Sequence, residues 1–253
     1  AWVHFVPPRW IYDGAAICGI PSEVSRGVLR GWYAQNGVSL GNPRLGFVCC
    51  QQTTDGQPGL SGYFLEHDRD LAPDERLRFS PGELPPRFDP AAAPKLDEAA
   101  WSPERLAKAN RNYAMEYIKN ALPILAEIFG PAEAAHLGRV TGRLIGMQFY
   151  GEIAGLLGAE PGAEGFARLM GGLARGQDDA VEVDGPVVRQ TSWRLMRGVA
   201  NVPDSAFEGW NGLLEGLLAV HDRFLMLDVR RRLDRGDDAF EWESRARGPA
   251  GAF

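Results

Sequence analysis

The stretch Pro131–Gly158, PAEAAHLGRVTGRLIGMQFYGEIAGLLG, constrains this fold more than any other. Pro131 suits the first position of a helix and Gly158 a left-handed stop, so the spacing predicts one long helix. Within it Gly138, Gly142 and Gly146 recur every four residues, and Gly151 and Gly155 repeat the step. Each interior glycine costs roughly 1 kcal/mol against alanine. So many in one helix point to another backbone approaching closely. A membrane helix uses small residues in the same way, but His136, Arg139, Arg143, Gln148 and Glu152 leave no apolar run of ~20 residues.

The same helix carries a polar line. Thr141, Ile145, Gln148 and Glu152 share one stripe, flanked by Leu137, Val140 and Leu144. An amide and a carboxylate beside an apolar face either meet water at a helix edge or line a ligand pocket.

The composition is that of an ordinary globular chain, 45% hydrophobic and 24% charged over 253 residues. That length fits one large domain or two small ones. A net charge of -6 argues against nucleic acid as the partner, since phosphate binding needs a basic face. Three cysteines, two of them the adjacent Cys49 and Cys50, make no disulfide framework. The first residues, AWVHFVPPRW, lack a basic region followed by an apolar run, so the expectation is a cytoplasmic protein with no membrane association.

In chain order, residues 1–97 read as a small α+β region and 98–253 as a larger α+β domain. Trp2–Val6 is a short strand stopped by Pro7 and Pro8, and Ser22–Gly37 is a helix. Arg44–Thr54 and Leu60–Glu66 form a hairpin, with Cys49 and Cys50 as small apolar fillers on opposite faces. Glu66, His67, Asp68 and Asp70 are either a charged turn or an acid–base or metal cluster. Six prolines between Pro73 and Pro94 predict an irregular connection.

Ser102-Pro103 starts a helix whose Leu106, Asn110, Tyr113, Tyr117, Ile124 and Ile128 share a side, and Pro123 is expected to kink it. After the glycine-rich helix come a helix over Ala163–Arg175 and a hairpin, Val181–Val183 to Val187–Met196, across Asp184-Gly185. Another helix runs from Asp204 or Ser205 to Asp222. A last hairpin joins Phe224–Leu233 to Ala239–Arg245, and a symmetric register sets Arg230 opposite Glu241 and Val229 opposite Trp242.

No dinucleotide fingerprint, P-loop, zinc-protease helix, paired-cysteine motif or nucleophile elbow is present. Of the four histidines, His221 is the one to weigh, at the end of an apolar helix face and beside Asp222. It is either a helix-end histidine favoured by the dipole or a pocket acid–base. The aromatics Tyr113, Tyr117, Phe149, Tyr150, Trp193, Trp210 and Trp242 suit an apolar cleft or simply a core.

Helices followed by VVRQTSWRLM, a helix ending in AVHDR and a hairpin carrying DRGDDAFEW make an order that resembles the L-2-amino-thiazoline-4-carboxylic acid hydrolase-like family. That family is itself similar to the small-molecule-binding domains of the 4-vinyl reductase type. The resemblance covers about Ala100–Arg247 and implies helices packed on a curved antiparallel sheet with a ligand cavity between them. Asp222, Gly236, Asp237 and Trp242 match the family pattern, whereas Trp193, Ala219 and Phe240 stand where it has cysteines. The family's thiolate chemistry is therefore not carried over, and neither a metal nor a cofactor is expected.

Two readings follow. One is a hydrolase-like enzyme acting on a small heterocyclic or amide-containing molecule, with His221 and Glu152 catalytic and Gln148, Tyr150, Trp193 and Trp210 binding substrate. The other is a non-catalytic small-molecule-binding protein with the same cavity. A homo-oligomer is compatible with both. The central expectation is that Gln148, Glu152, Trp193 and His221 converge on one cavity.

Overall fold

The computed structural model describes residues 1–5 and 22–248. The chain is α+β and divides into two compact units, Ala1–Lys95 and Leu96–Phe253. Among the described residues no helix is long and apolar enough to cross a membrane.

The first unit holds β1 (Trp2–Phe5), α1 (Ser22–Gly31), α2 (Asn36–Ser39), β2 (Leu45–Gln51), β3 (Leu60–Glu66) and β4 (Leu77–Phe79). Pro7, Pro8 and Cys18 lie outside the described residues. The helix expected over Ser22–Gly37 is broken: α1 stops at Gly31 and a 3-10 turn, Tyr33–Gln35, intervenes. The break turns the Tyr33 ring into the core, 4.5 Å from the Phe47 ring and stacked on Phe64. The proline-rich connection is irregular except for β4, which pairs parallel with β2 in a sheet ordered β1-β3-β2-β4. Cys49 and Cys50 are both buried, and burial pushes their thiols up to about 11 and about 12.

The second unit holds α3 (Pro103–Phe129), α4 (Pro131–Leu157), α5 (Gly162–Gly176), β5 (Val181–Asp184), β6 (Val187–Gln190), α6 (Asp204–His221), β7 (Leu225–Arg231) and β8 (Phe240–Ala246). Ser102 caps α3 by accepting the Arg105 N–H at 3.3 Å, and the helix assignment runs through Pro123 without interruption. Gly158 ends α4 at φ +64°. The four strands form an antiparallel sheet ordered β5-β6-β8-β7. Phe166 and Leu169 from α5, Leu214 and Leu217 from α6, and Val188, Phe240 and Trp242 from the sheet make the core. Each such side chain contributes roughly 1.5–3 kcal/mol on burial.

The glycine repeat of α4 is explained in part. Gly138, Gly142 and Gly146 are buried against α6, and a Cβ at Gly138 would lie 2.9 Å from the Ser205 carbonyl oxygen. Gly209, Gly212 and Gly216 on α6 face back toward α4, so the two backbones meet with almost no side chain between them. Gly151 and Gly155 differ: a Cβ there meets nothing.

Two strand assignments need correction. β6 ends at Gln190, and Trp193 lies in the following turn rather than on the strand. Asp179 draws the chain off the ladder, accepting from Ser192 Oγ (2.7 Å), the Arg194 N–H (2.8 Å) and Gln190 Nε2 (3.1 Å). In the last hairpin Val229 does face Trp242, but a bulge at Arg230 puts Arg231 opposite Glu241. Arg230 instead pairs with Glu243.

The two units repeat one motif, which the amino-acid sequence hides. In each, a bulged strand leads through a 3-10 turn and a left-handed glycine (Gly56, φ 81°; Gly236, φ 97°) into its antiparallel partner. The register is the same: Leu45 pairs with Glu66 as Leu225 pairs with Ala246, and Phe5 pairs with Leu60 as Gln190 pairs with Phe240. Even the turn locks match. Gln57 Oε1 accepts the Gln52 N–H at 2.7 Å, and Asp237 Oδ2 accepts the Arg232 N–H at 2.6 Å. Before each hairpin, Asn42 or Asp222 accepts the N–H two residues on. The first unit thus carries β1-β3-β2 where the second carries β6-β8-β7, each with its helical segment before the hairpin.

Candidate functional site

The end of α6 and the last third of α4 are tied together through His221. Tyr150 Oη lies 2.9 Å from His221 Nδ1, and His221 Nε2 lies 3.0 Å from the Gly162 carbonyl oxygen. A carbonyl can only accept, so Nε2 carries a proton and donates to it, while Nδ1 shares a hydrogen bond with the Tyr150 hydroxyl. The two contacts hold the imidazole in place, packed against the Phe166 ring at 5.3 Å. Both ring nitrogens are engaged, and burial pushes the Tyr150 hydroxyl above its ordinary pKa.

The remaining expected residues lie elsewhere. Gln148 and Glu152 are exposed on α4. Trp193 and Trp210 are buried in the core, Trp193 edge-on to Phe240 at 4.9 Å. Their indole N–H groups find no hydrogen-bond partner among the described residues. The hydrogen bonds therefore join Tyr150 with His221, and bring no other pair of the six together. The charged turn after β3 is held by ion pairs, Arg44 to Glu66 at 2.6 Å and Arg69 to Glu75 at 2.5 Å. Among the described residues no three His, Cys, Asp or Glu side chains are grouped to hold a metal ion.

A cavity of about 570 Å³ opens between α4, α6 and β7. Its apolar floor is Phe207, Leu227 and Val229. Its walls carry Arg139, Arg230, Arg231, Arg232 and Arg235 against Glu208, Glu215 and Asp237. None of the six residues expected from the sequence lines it.

The fold fixes these guanidiniums from several sides. Arg232 lies over the Phe207 ring, 3.7 Å from its centroid, and reaches Asp204 at 3.2 Å. Arg235 pairs with Asp204 at 2.9 Å, Arg231 with Asp238 at 2.9 Å, and Arg139 with Glu215 at 2.6 Å. Glu215 is anchored to the core: Asn211 Nδ2 donates to it at 3.1 Å, and Asn211 Oδ1 accepts from Trp242 Nε1 at 3.1 Å. The sequence signal that marks this cavity is the run Arg230-Arg231-Arg232 with Arg235 three residues on. No family model matches the chain, and no curated protein or solved structure matches it either.

Proposed function

We propose that this protein binds a small anionic molecule, carboxylate- or phosphate-bearing, in the cavity between α4, α6 and β7, and does not turn it over. The observation that carries the reading is the lining itself: five guanidinium groups gather around an apolar floor, with Glu208, Glu215 and Asp237 beside them and Asp204, Asp238 and Glu243 pairing with them from outside the cavity. A volume of about 570 Å³ is within the usual range for small-molecule sites. Arginine forks recognise carboxylate and phosphate oxygens in pairs. Arg139, Arg231 and Arg235 are each about half exposed, so they keep donors available beyond their ion pairs. Stacking on Phe207 holds Arg232 flat at the wall.

The hydrolytic reading draws less support. It needs His221 as a general base, yet Nδ1 and Nε2 are already committed to Tyr150 and Gly162. A base must stand within hydrogen-bond reach of the proton it takes, and here the two nitrogens face a tyrosine hydroxyl and a backbone carbonyl of the chain itself.

The test is a melting-temperature series with citrate and inorganic phosphate against chloride at matched ionic strength. A ligand at 100 times its dissociation constant stabilises by about 2.7 kcal/mol, so either probe should raise the midpoint by several degrees. The gain should vanish in an Arg139→Gln/Arg235→Gln variant. Equal midpoints in all three salts would remove the proposal.

A further inference from the structure

We infer that the outer face of α4 is a homodimer interface, in which two copies of α4 pack antiparallel about a twofold axis at Leu144.

On its inner side α4 spends its glycines on α6. On the side turned away, Leu137, Val140, Leu144 and Met147 follow one another at steps of three, four and three, the spacing of a two-helix seam. They are 37%, 43%, 61% and 44% exposed. Together they present on the order of 300 Å² of apolar surface. A stable interface takes about 800 Å² from each partner, a little over half of it apolar. The seam therefore supplies the larger part of the apolar share of one half-interface.

The face is also compatible with itself. No charged residue lies on the seam between Leu137 and Gly151, and the flanking Arg143 is directed to Glu215 at 3.7 Å. An identical surface meets no like-charge repulsion there. The antiparallel direction follows from size. With Leu144 on the axis, Leu137 of one copy lies over Gly151 of the other, where a Cβ would meet nothing within one chain. The leucine fills the space that the glycine leaves. Twofold symmetry lets one surface serve both sides.

The experiment is sedimentation analysis of the full chain with cysteine crosslinking in a Cys18→Ser background. Wild type should sediment as a dimer at micromolar concentration, and Leu144→Glu as a monomer. Because the glutamate variant can fail to fold, Leu144→Cys gives a second reading: under mild oxidation it should form a disulfide-linked dimer. Leu137→Cys should not, since its two copies stand about 20 Å apart along an antiparallel pair at ~1.5 Å per residue. A wild-type monomer overturns the inference, and a monomer that floats with phospholipid vesicles gives the face to a lipid surface instead. A dimer that persists in Leu144→Glu and is not linked through Leu144→Cys uses another face. A Leu137→Cys crosslink overturns the antiparallel arrangement.

Discussion

Gly142 on α4 and Gly209 on α6 stand so close that a Cβ on Gly142 would collide with the Gly209 carbonyl oxygen and lie 2.9 Å from the Leu213 nitrogen. Both obstacles are backbone, so they cannot swing aside. Gly142→Ala should cost about 1–3 kcal/mol, the usual scale of overpacking, and Gly142→Leu more. Gly155 offers the control. Its Cβ position is open, and Gly155→Ala should stabilise by about 0.5–1 kcal/mol through helix propensity alone. Urea unfolding of the two alanine variants checks the opposite signs.

Tyr150→Phe keeps the ring of Tyr150 but leaves His221 Nδ1 without the hydroxyl that sits 2.9 Å away. The expected loss is about 0.5–1.5 kcal/mol, the net worth of one hydrogen bond. Denaturant midpoints of wild type and variant measure it. An unchanged midpoint would show that the tie is not formed in solution.

Asp179→Ala should be costlier. The carboxylate is buried and collects three donors, from Gln190, Ser192 and Arg194, which hold the turn carrying Trp193. Burial raises its pKa against the pull of those donors. Removing the acceptor strands buried donors, at roughly 1–3 kcal/mol for a group left unsatisfied. A fall in stability together with a red shift of tryptophan emission is expected. Emission that does not move would mean that Trp193 is held by its packing on Phe240.

The two buried thiols set an alkaline limit. Their folded pKa values, about 11 for Cys49 and about 12 for Cys50, stand above the ordinary 9.0, chiefly because burial disfavours the thiolate. For Cys50, Glu83 adds to the effect. The fold therefore prefers the protonated forms. That contribution is complete below pH 9.0 and is lost as pH rises from there through about 11 to 12. Guanidinium midpoints at rising pH should fall for wild type and fall less for Cys49→Ala/Cys50→Ala. Parallel curves would contradict the assignment.

Local signals in the chain proved readable where they act locally. Pro131 and Gly158 bound α4, Ser102 caps α3, and the hairpin turns fall where glycine and aspartate cluster. What stayed hidden depends on residues meeting at a distance. The repeat of the two units lives in register and turn geometry, and Gly56 with Gly236 is the one identity between residues 51–60 and 231–240. The bulge at Arg230 leaves no mark in the alternation of the strand. The place of His221 at the end of α6 was legible, but its partners Tyr150 and Gly162 come from other helices. The arginine cavity draws on α4, α6 and the β7 turn, so only the run at 230–232 hinted at it.

The central claim is an anion site walled by Arg139 and Arg235, and titration calorimetry with citrate at low ionic strength tests it most directly. The expected result for wild type is a saturable isotherm with one site per chain. In Arg139→Gln/Arg235→Gln the affinity should drop by at least about tenfold, since each lost charge-assisted hydrogen bond is worth about 1.5–3 kcal/mol. Wild-type heats no larger than dilution, or an isotherm identical in the double variant, would contradict the account.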